Sequence, residues 1–174
     1  MKSFAPALSF VNSSSHPDTK LTQSFSFAIK LDISVYANRT SHGCNVSTTE
    51  ILVKLKWAPI HDAFHDLPLN SMENTSSFIN QTMKGMDTLG QITSYTAAQL
   101  GAQYHTHAFS VLIVCNFAHI IRWDREGAIV TCTFDYNKCP HLADFFHCFS
   151  QASPALHGVD TSVMPASAKE ATRA

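Results

Sequence analysis

The stretch Gly85–Phe134, GMDTLGQITSYTAAQLGAQYHTHAFSVLIVCNFAHIIRWDREGAIVTCTF, carries two hydrophobic periods in succession, and that change decides the fold. Leu89, Ile92, Thr96, Leu100 and Tyr104 recur every three or four residues, which lines them along one face of a helix. Ala108 to Cys115 is almost unbroken apolar sequence, the signature of a strand covered on both faces. His119–Trp123 and Ala128–Phe134 follow as short runs on either side of Asp124-Arg125-Glu126-Gly127. A polar tetrad ending in Gly predicts a hairpin, with Gly127 free to take a positive φ.

Outward from this centre, Phe25, Phe27, Ile29, Leu31, Ile33 and Val35 alternate strictly with smaller or polar residues, which predicts a strand with one apolar face. Ile51, Val53, Leu55 and Trp57 repeat the pattern after a polar loop, and the two strands are expected to pair antiparallel. Asn74 or Ser76 is a candidate cap for a helix beginning near Phe78 and leading into the central one. Pro140 suits the first turn of a second helix, whose apolar face is Leu142, Phe145, Phe146 and Phe149. The expected architecture is a single α+β domain, a mixed sheet with helices packed on it. Its strands fall near 25–36, 50–57, 108–115, 119–124 and 128–134. Residues 1–20, rich in Ser, Pro and Asn, read as a disordered tail, 21–150 as the domain, and 151–174 as a flexible tail or linker.

The run DTLGQITSYTAAQLGAQYHTHAFSVLIV, continued by IIRWDREGAIVT and PHLADFFHCFSQASPALHGVD, resembles the fungal-type protein kinase family, in the region that precedes the kinase core. The resemblance spans roughly Asp32 to the C-terminus. It implies an intracellular, cytoplasmic or nuclear accessory or regulatory domain, or a truncated fragment, of a kinase-like signalling protein. ATP and magnesium would be bound by a core outside this stretch, and the expected partner is that kinase core or its protein substrate.

The motifs of phosphoryl transfer are not in this chain. A kinase needs a Gly-rich covering loop, a strand lysine, a catalytic-loop Asp and a metal-binding Asp. No G-x-G-x-x-G or H-R-D occurs, and Asp144-Phe145-Phe146 lacks the Gly of D-F-G. Catalysis by this chain is therefore not expected.

A second resemblance concerns the fold. An acid on one strand, Lys-X-Lys on the next and then a helix resemble the restriction-endonuclease-like core. Its nuclease motif places an Asp before Asp/Glu-X-Lys; the two acids hold magnesium and the lysine supports the attacking water. Asp32 stands for the first acid and Lys56 for the lysine. Lys54 stands where the second acid belongs, and a cation there repels the metal. Gln91 and Tyr95, one helical turn apart, resemble the helix motif of some such nucleases. The competing reading makes Lys30, Asp32, Lys54 and Lys56 a solvated strand face with cross-strand charge pairs. A degenerate nuclease-like domain with residual nucleic-acid binding is thus the alternative function, and a free-standing interaction module a third.

Composition narrows the choices. The 174 residues suit one domain, 45% hydrophobic but only 14% charged, with a net charge of −1. No basic excess favours nucleic acid, so that partner is not expected. No apolar run approaches the ~20 residues of a membrane span. Met1–Val11 only faintly imitates a signal peptide, and secretion is not expected. The Asn-X-Ser/Thr sites at Asn12, Asn38, Asn45, Asn74 and Asn80 would matter only in a secreted chain. The five cysteines, Cys44, Cys115, Cys132, Cys139 and Cys148, form no regular framework and read as reduced. Neither His61/His65, His105/His107 nor Cys139-Pro140-His141 with His147-Cys148 has zinc spacing, so no metal is expected. Arg122, Trp123, Asp124 and Arg125, at the hairpin turn, are the remaining binding candidates, weighed against a purely hairpin-closing role.

Overall fold

The computed structural model describes residues 4–18, 29–37, 45–67 and 77–163. Within them the elements run β1 (Leu8–Asn12), β2 (Ile33–Ala37), β3 (Ile51–Lys56), α1 (Met83–Ala102), β4 (His107–Val114), β5 (Phe117–Asp124), β6 (Ala128–Val130), β7 (Phe134–Asp135) and α2 (His141–Gln151). The sheet has the order β1-β2-β3-β4-β5-β6, with β7 also beside β5. The first three strands form an antiparallel meander, and α1 then carries the chain across so that β4 lies parallel to β3. The remaining pairings are antiparallel. This is a mixed sheet with two packed helices, the α+β class expected.

The helical stripe explains how α1 docks. Thr82 caps the helix, its Oγ1 accepting from the Gly85 N–H at 3.1 Å. Ile92, Thr96 and Leu100 are buried as the period requires, whereas Tyr104 lies past the helix end and is exposed. The helix therefore begins later than Phe78; Ile79 instead forms a bridge with Phe64. The cap candidates Asn74 and Ser76 lie outside the described residues. Gln99 of α1 and Gln103, the residue just after that helix, reach back to the entry of β3. Gln99 Nε2 donates to the Thr49 carbonyl at 2.7 Å, and Gln103 Nε2 to the Val46 carbonyl at 2.6 Å. These bonds satisfy backbone oxygens that no ladder reaches.

Each sheet face has its own core. On one, Ile92 and Leu100 of α1 join Ala108, Leu112, Ile121 and Trp123. On the other, Phe146 and Phe149 of α2 cover Leu8, Val35, Ile51, Val53 and Val111. Fully burying a side chain of that size is worth ~1.5–3 kcal/mol, so a single turn of α2 supplies much of what holds it. β4 is covered on both sides, as its unbroken apolar run requires.

Other expectations also need correction. Residues 1–20 do not all form a tail: Leu8–Asn12 is a strand, paired along its length with β2. Leu8 is buried, and β2 needs a second neighbour for its outer ladder. Of the strand expected at 25–36, residues 25–28 lie outside the described residues; Ile29 makes only an isolated bridge to Asp18, and the described strand is Ile33–Ala37. The run 128–134 is split, because the Ile120 N–H bonds to the Thr131 side-chain oxygen at 3.0 Å and the ladder is interrupted. Finally, residues 152–163 pack as turns against α2 and β4 instead of leaving the domain: Thr106 N–H donates to the Gly158 carbonyl at 2.7 Å and Asp160 N–H to the Tyr104 carbonyl at 2.8 Å.

The turns are also informative. Gly127 does not use a positive φ; the left-handed backbone is found instead at Cys115, φ 54°, in the two-residue turn between β4 and β5. Cys115 is held there from three sides. Its N–H donates to the Lys56 carbonyl at 2.9 Å, its Sγ to the Trp57 carbonyl at 3.0 Å, and its own carbonyl accepts from the Tyr136 hydroxyl at 2.9 Å. The two ends of the domain also meet, with His147 Nδ1 2.7 Å from the Phe4 carbonyl.

Candidate functional site

The sheet brings Asp32, Lys54, Lys56 and Gln91 together on the α1 side. Asp32 immediately precedes β2, and one of its carboxylate oxygens serves two donors. Oδ2 accepts from the Leu55 N–H at 2.8 Å and pairs with Lys54 Nζ at 3.1 Å. The carboxylate thereby takes over a backbone hydrogen bond that β2, starting one residue later, does not supply to β3. Both side chains are largely covered, at 16% exposure for Lys54 and 22% for Asp32, so this pair is screened less than an open surface pair.

Lys56, two residues on and hence on the same face, reaches α1. Its Nζ donates to Gln91 Oε1 at 3.2 Å, and Gln91 Nε2 donates in turn to Asp87 Oδ2 at 3.1 Å. Burial lowers the Lys56 pKa and neighbouring Lys54 lowers it further, against the raising influence of Asp87 and Asp32. Asp87 was not a candidate from the sequence. Its position four residues before Gln91 on one helix was the available signal. Tyr95, one turn beyond Gln91, packs instead against the cluster of Ile29, Leu31, Leu52 and Ala98. The result is two adjoining polar chains, Lys54–Asp32 and Lys56–Gln91–Asp87. Asp32 also borders an open cleft of about 450 Å³ lined by Phe10, Ile33, Leu55 and Trp57, the last 88% exposed.

The hairpin candidates do not form one surface. Trp123 is turned into the core, 9% exposed, and its Nε1 donates to Ser110 Oγ at 2.7 Å. Arg122 and Asp124 pair at 3.4 Å in a half-exposed position, and Arg125 points outward. Asp124 Oδ1 accepts from the Glu126 and Gly127 N–H groups at 2.9 and 3.0 Å. Those two bonds hold its carboxyl below the usual range. This is hairpin closure, and it removes Trp123 from the binding candidates.

One buried ionisable group escaped the sequence reading. His119 is 1% exposed, with Nδ1 3.1 Å from the Thr131 carbonyl and Nε2 3.3 Å from Asp62 Oδ1. Burial opposes its charge, but the hydrogen bonds to Asp62 and Thr131, with the charges of Asp62 and Asp66, outweigh that and raise its pKa. His119 thereby ties β5 to the segment that follows β3. Asp144-Phe145-Phe146, the nearest approach to D-F-G, lies within α2 with Phe146 in the core. Among the described residues, no group of three or more His, Cys, Asp or Glu is placed to hold a metal ion, and no helix is long and apolar enough to cross a membrane. Comparison with family models, curated proteins and solved structures returns no match.

Proposed function

We propose that the chain is a non-catalytic binding module on a restriction-endonuclease-like core, serving as an accessory domain of a fungal-type kinase-like protein. The observation that carries the non-catalytic half is the Lys54–Asp32 ion pair. In a nuclease with this motif, the first acid and the acid two residues before the lysine share a divalent cation. Here an ammonium pairs with the first acid, and the charge that would attract a metal is already balanced. Three further features favour the core: the β1-β2-β3 meander, the helical crossover to a parallel β4, and the approach of Gln91 from that helix to Lys56. The accessory role rests on the sequence resemblance alone. In that role the domain docks a protein substrate or restrains the kinase core.

Calorimetric titration with Mn²⁺ and a plasmid-nicking assay test the non-catalytic half together. The chain is expected to take up no Mn²⁺ and cut no DNA, while Lys54→Glu gains Mn²⁺ binding that Asp32→Asn then abolishes. Stoichiometric Mn²⁺ uptake at Asp32 by the unaltered chain, or metal-dependent nicking, would overturn it. For the accessory role, the expected result is saturable binding to a fungal-type kinase core or its substrate; loss of the role follows if neither binds.

A further inference from the structure

The segment after α2 is held by an unusual concentration of histidine. His157 stacks on the Phe149 ring with centroids 4.0 Å apart and planes 13° from parallel. Its Nε2 lies 2.7 Å from the Phe149 carbonyl and its Nδ1 3.2 Å from Glu50 Oε2. The Glu50 contact is at ion-pair distance but lacks hydrogen-bond alignment. His107 Nε2 is 3.2 Å from the Leu156 carbonyl. Backbone bonds Thr106 N–H to Gly158 O and Asp160 N–H to Tyr104 O flank a bridge between His105 and Val159. Gly158 is required in this geometry. Its φ is 102°, and a Cβ there would stand 1.9 Å from the His107 carbonyl oxygen.

We propose that Pro154–Asp160 is a pH-operated latch, docked on β4 and α2 while His105 is neutral and released when His105 takes up a proton. His105 Nδ1 is buried without a hydrogen-bond partner in the docked arrangement, so no acceptor waits for a second proton. The ionisable groups around it are Tyr104 beside it, Glu50 ahead of β3, His107 on β4, and His157 and Asp160 on the latch itself. Burial and the charges of His107 and His157 set the docked His105 pKa below the ordinary value. Released, His105 returns toward ~6.5. The docked form therefore binds fewer protons, and its advantage is lost as pH falls through that released value. Opening uncovers the Phe149 ring face on which His157 stacks. Acid would thus expose an aromatic surface on α2.

Hydrogen exchange followed by NMR across pH 5 to 8, corrected for intrinsic rates, reads the latch at the Thr106 and Asp160 amides. Both are expected to lose protection progressively toward the acid end, while ladder amides of β4 and β5 keep theirs. His105→Gln is expected to flatten that dependence without unfolding the domain. Gly158→Ala should leave the latch open at every pH. Equal protection at pH 5 and 8, unchanged pH dependence in His105→Gln, or parallel loss of protection in the β4–β5 ladder would each overturn the proposal.

Discussion

His119 and Asp62 form the buried contact through which β5 holds the segment after β3, with Nε2 and Oδ1 3.3 Å apart. The His119 pKa is raised in the folded state, so folding favours its protonated form. That stabilisation is complete below the unfolded value of ~6.5 and is lost as pH rises through the higher folded one. Urea midpoints measured from pH 6 to 9 should therefore decline on the alkaline side, and His119→Ala should remove most of that slope. A slope unchanged in the variant would assign it to other groups. This alkaline loss is opposite in sign to the acid opening at His105, so one pH series separates them.

The two partners of the Lys54–Asp32 pair should differ when each is truncated. Lys54→Ala removes a partly exposed ion pair worth ~0–1 kcal/mol. Asp32→Ala also leaves the Leu55 N–H without its acceptor, a loss of ~1–3 kcal/mol. Guanidinium denaturation of both single variants and the double variant gives the ordering and the coupling. Equal costs would mean that the Leu55 bond contributes nothing.

Three glycines of α1 should respond in opposite directions to the same substitution. At Gly90 and Gly101 a Cβ meets nothing within 4 Å, so Ala should stabilise by ~0.5–1 kcal/mol through helix propensity. At Gly85 it would lie 2.8 Å from the Asp62 carbonyl and 2.9 Å from that of Asn80. Gly85→Ala should cost ~1–3 kcal/mol as the chain after β3 is pushed off the helix. Melting temperatures moving the same way at all three sites would contradict this packing.

The two tryptophans offer a spectroscopic check. Trp57→Phe should leave stability within ~0.5 kcal/mol and leave a fluorophore, Trp123, poorly quenched by iodide. Ser110→Ala in that background strands the indole N–H and should cost ~1–3 kcal/mol. Strong iodide quenching of Trp123 would place it at the surface after all.

What the sequence disclosed follows from how local each signal is. The α1 stripe, the covered run of β4 and the amphipathic face of α2 are contained within their own elements, and all three were readable. β1 was not, because five residues among Ser, Asn and Pro become a strand only through pairing with β2, some 25 residues away. The turn at Cys115-Asn116 carries no glycine to announce it. At the candidate site, Asp32 and the two lysines were suggested by the resemblance to a nuclease motif. The Lys56–Gln91 contact joins residues 35 apart and depends on how α1 lies across the sheet. His119 looked like any strand residue, since what makes it special comes from Asp62 and Thr131 on other segments.

The meeting of Phe4 with His147 has a consequence for synthesis. A ribosome releases the chain from its N-terminus, yet the carbonyl of Phe4 finds its partner 143 residues later. Until α2 has emerged, Leu8, Val35 and Val53 have no helix to cover them. A nascent chain must therefore carry an uncovered apolar sheet face until His141–Gln151 has emerged. Premature termination before α2 would leave that face permanently open and make the product a target for chaperones and proteases.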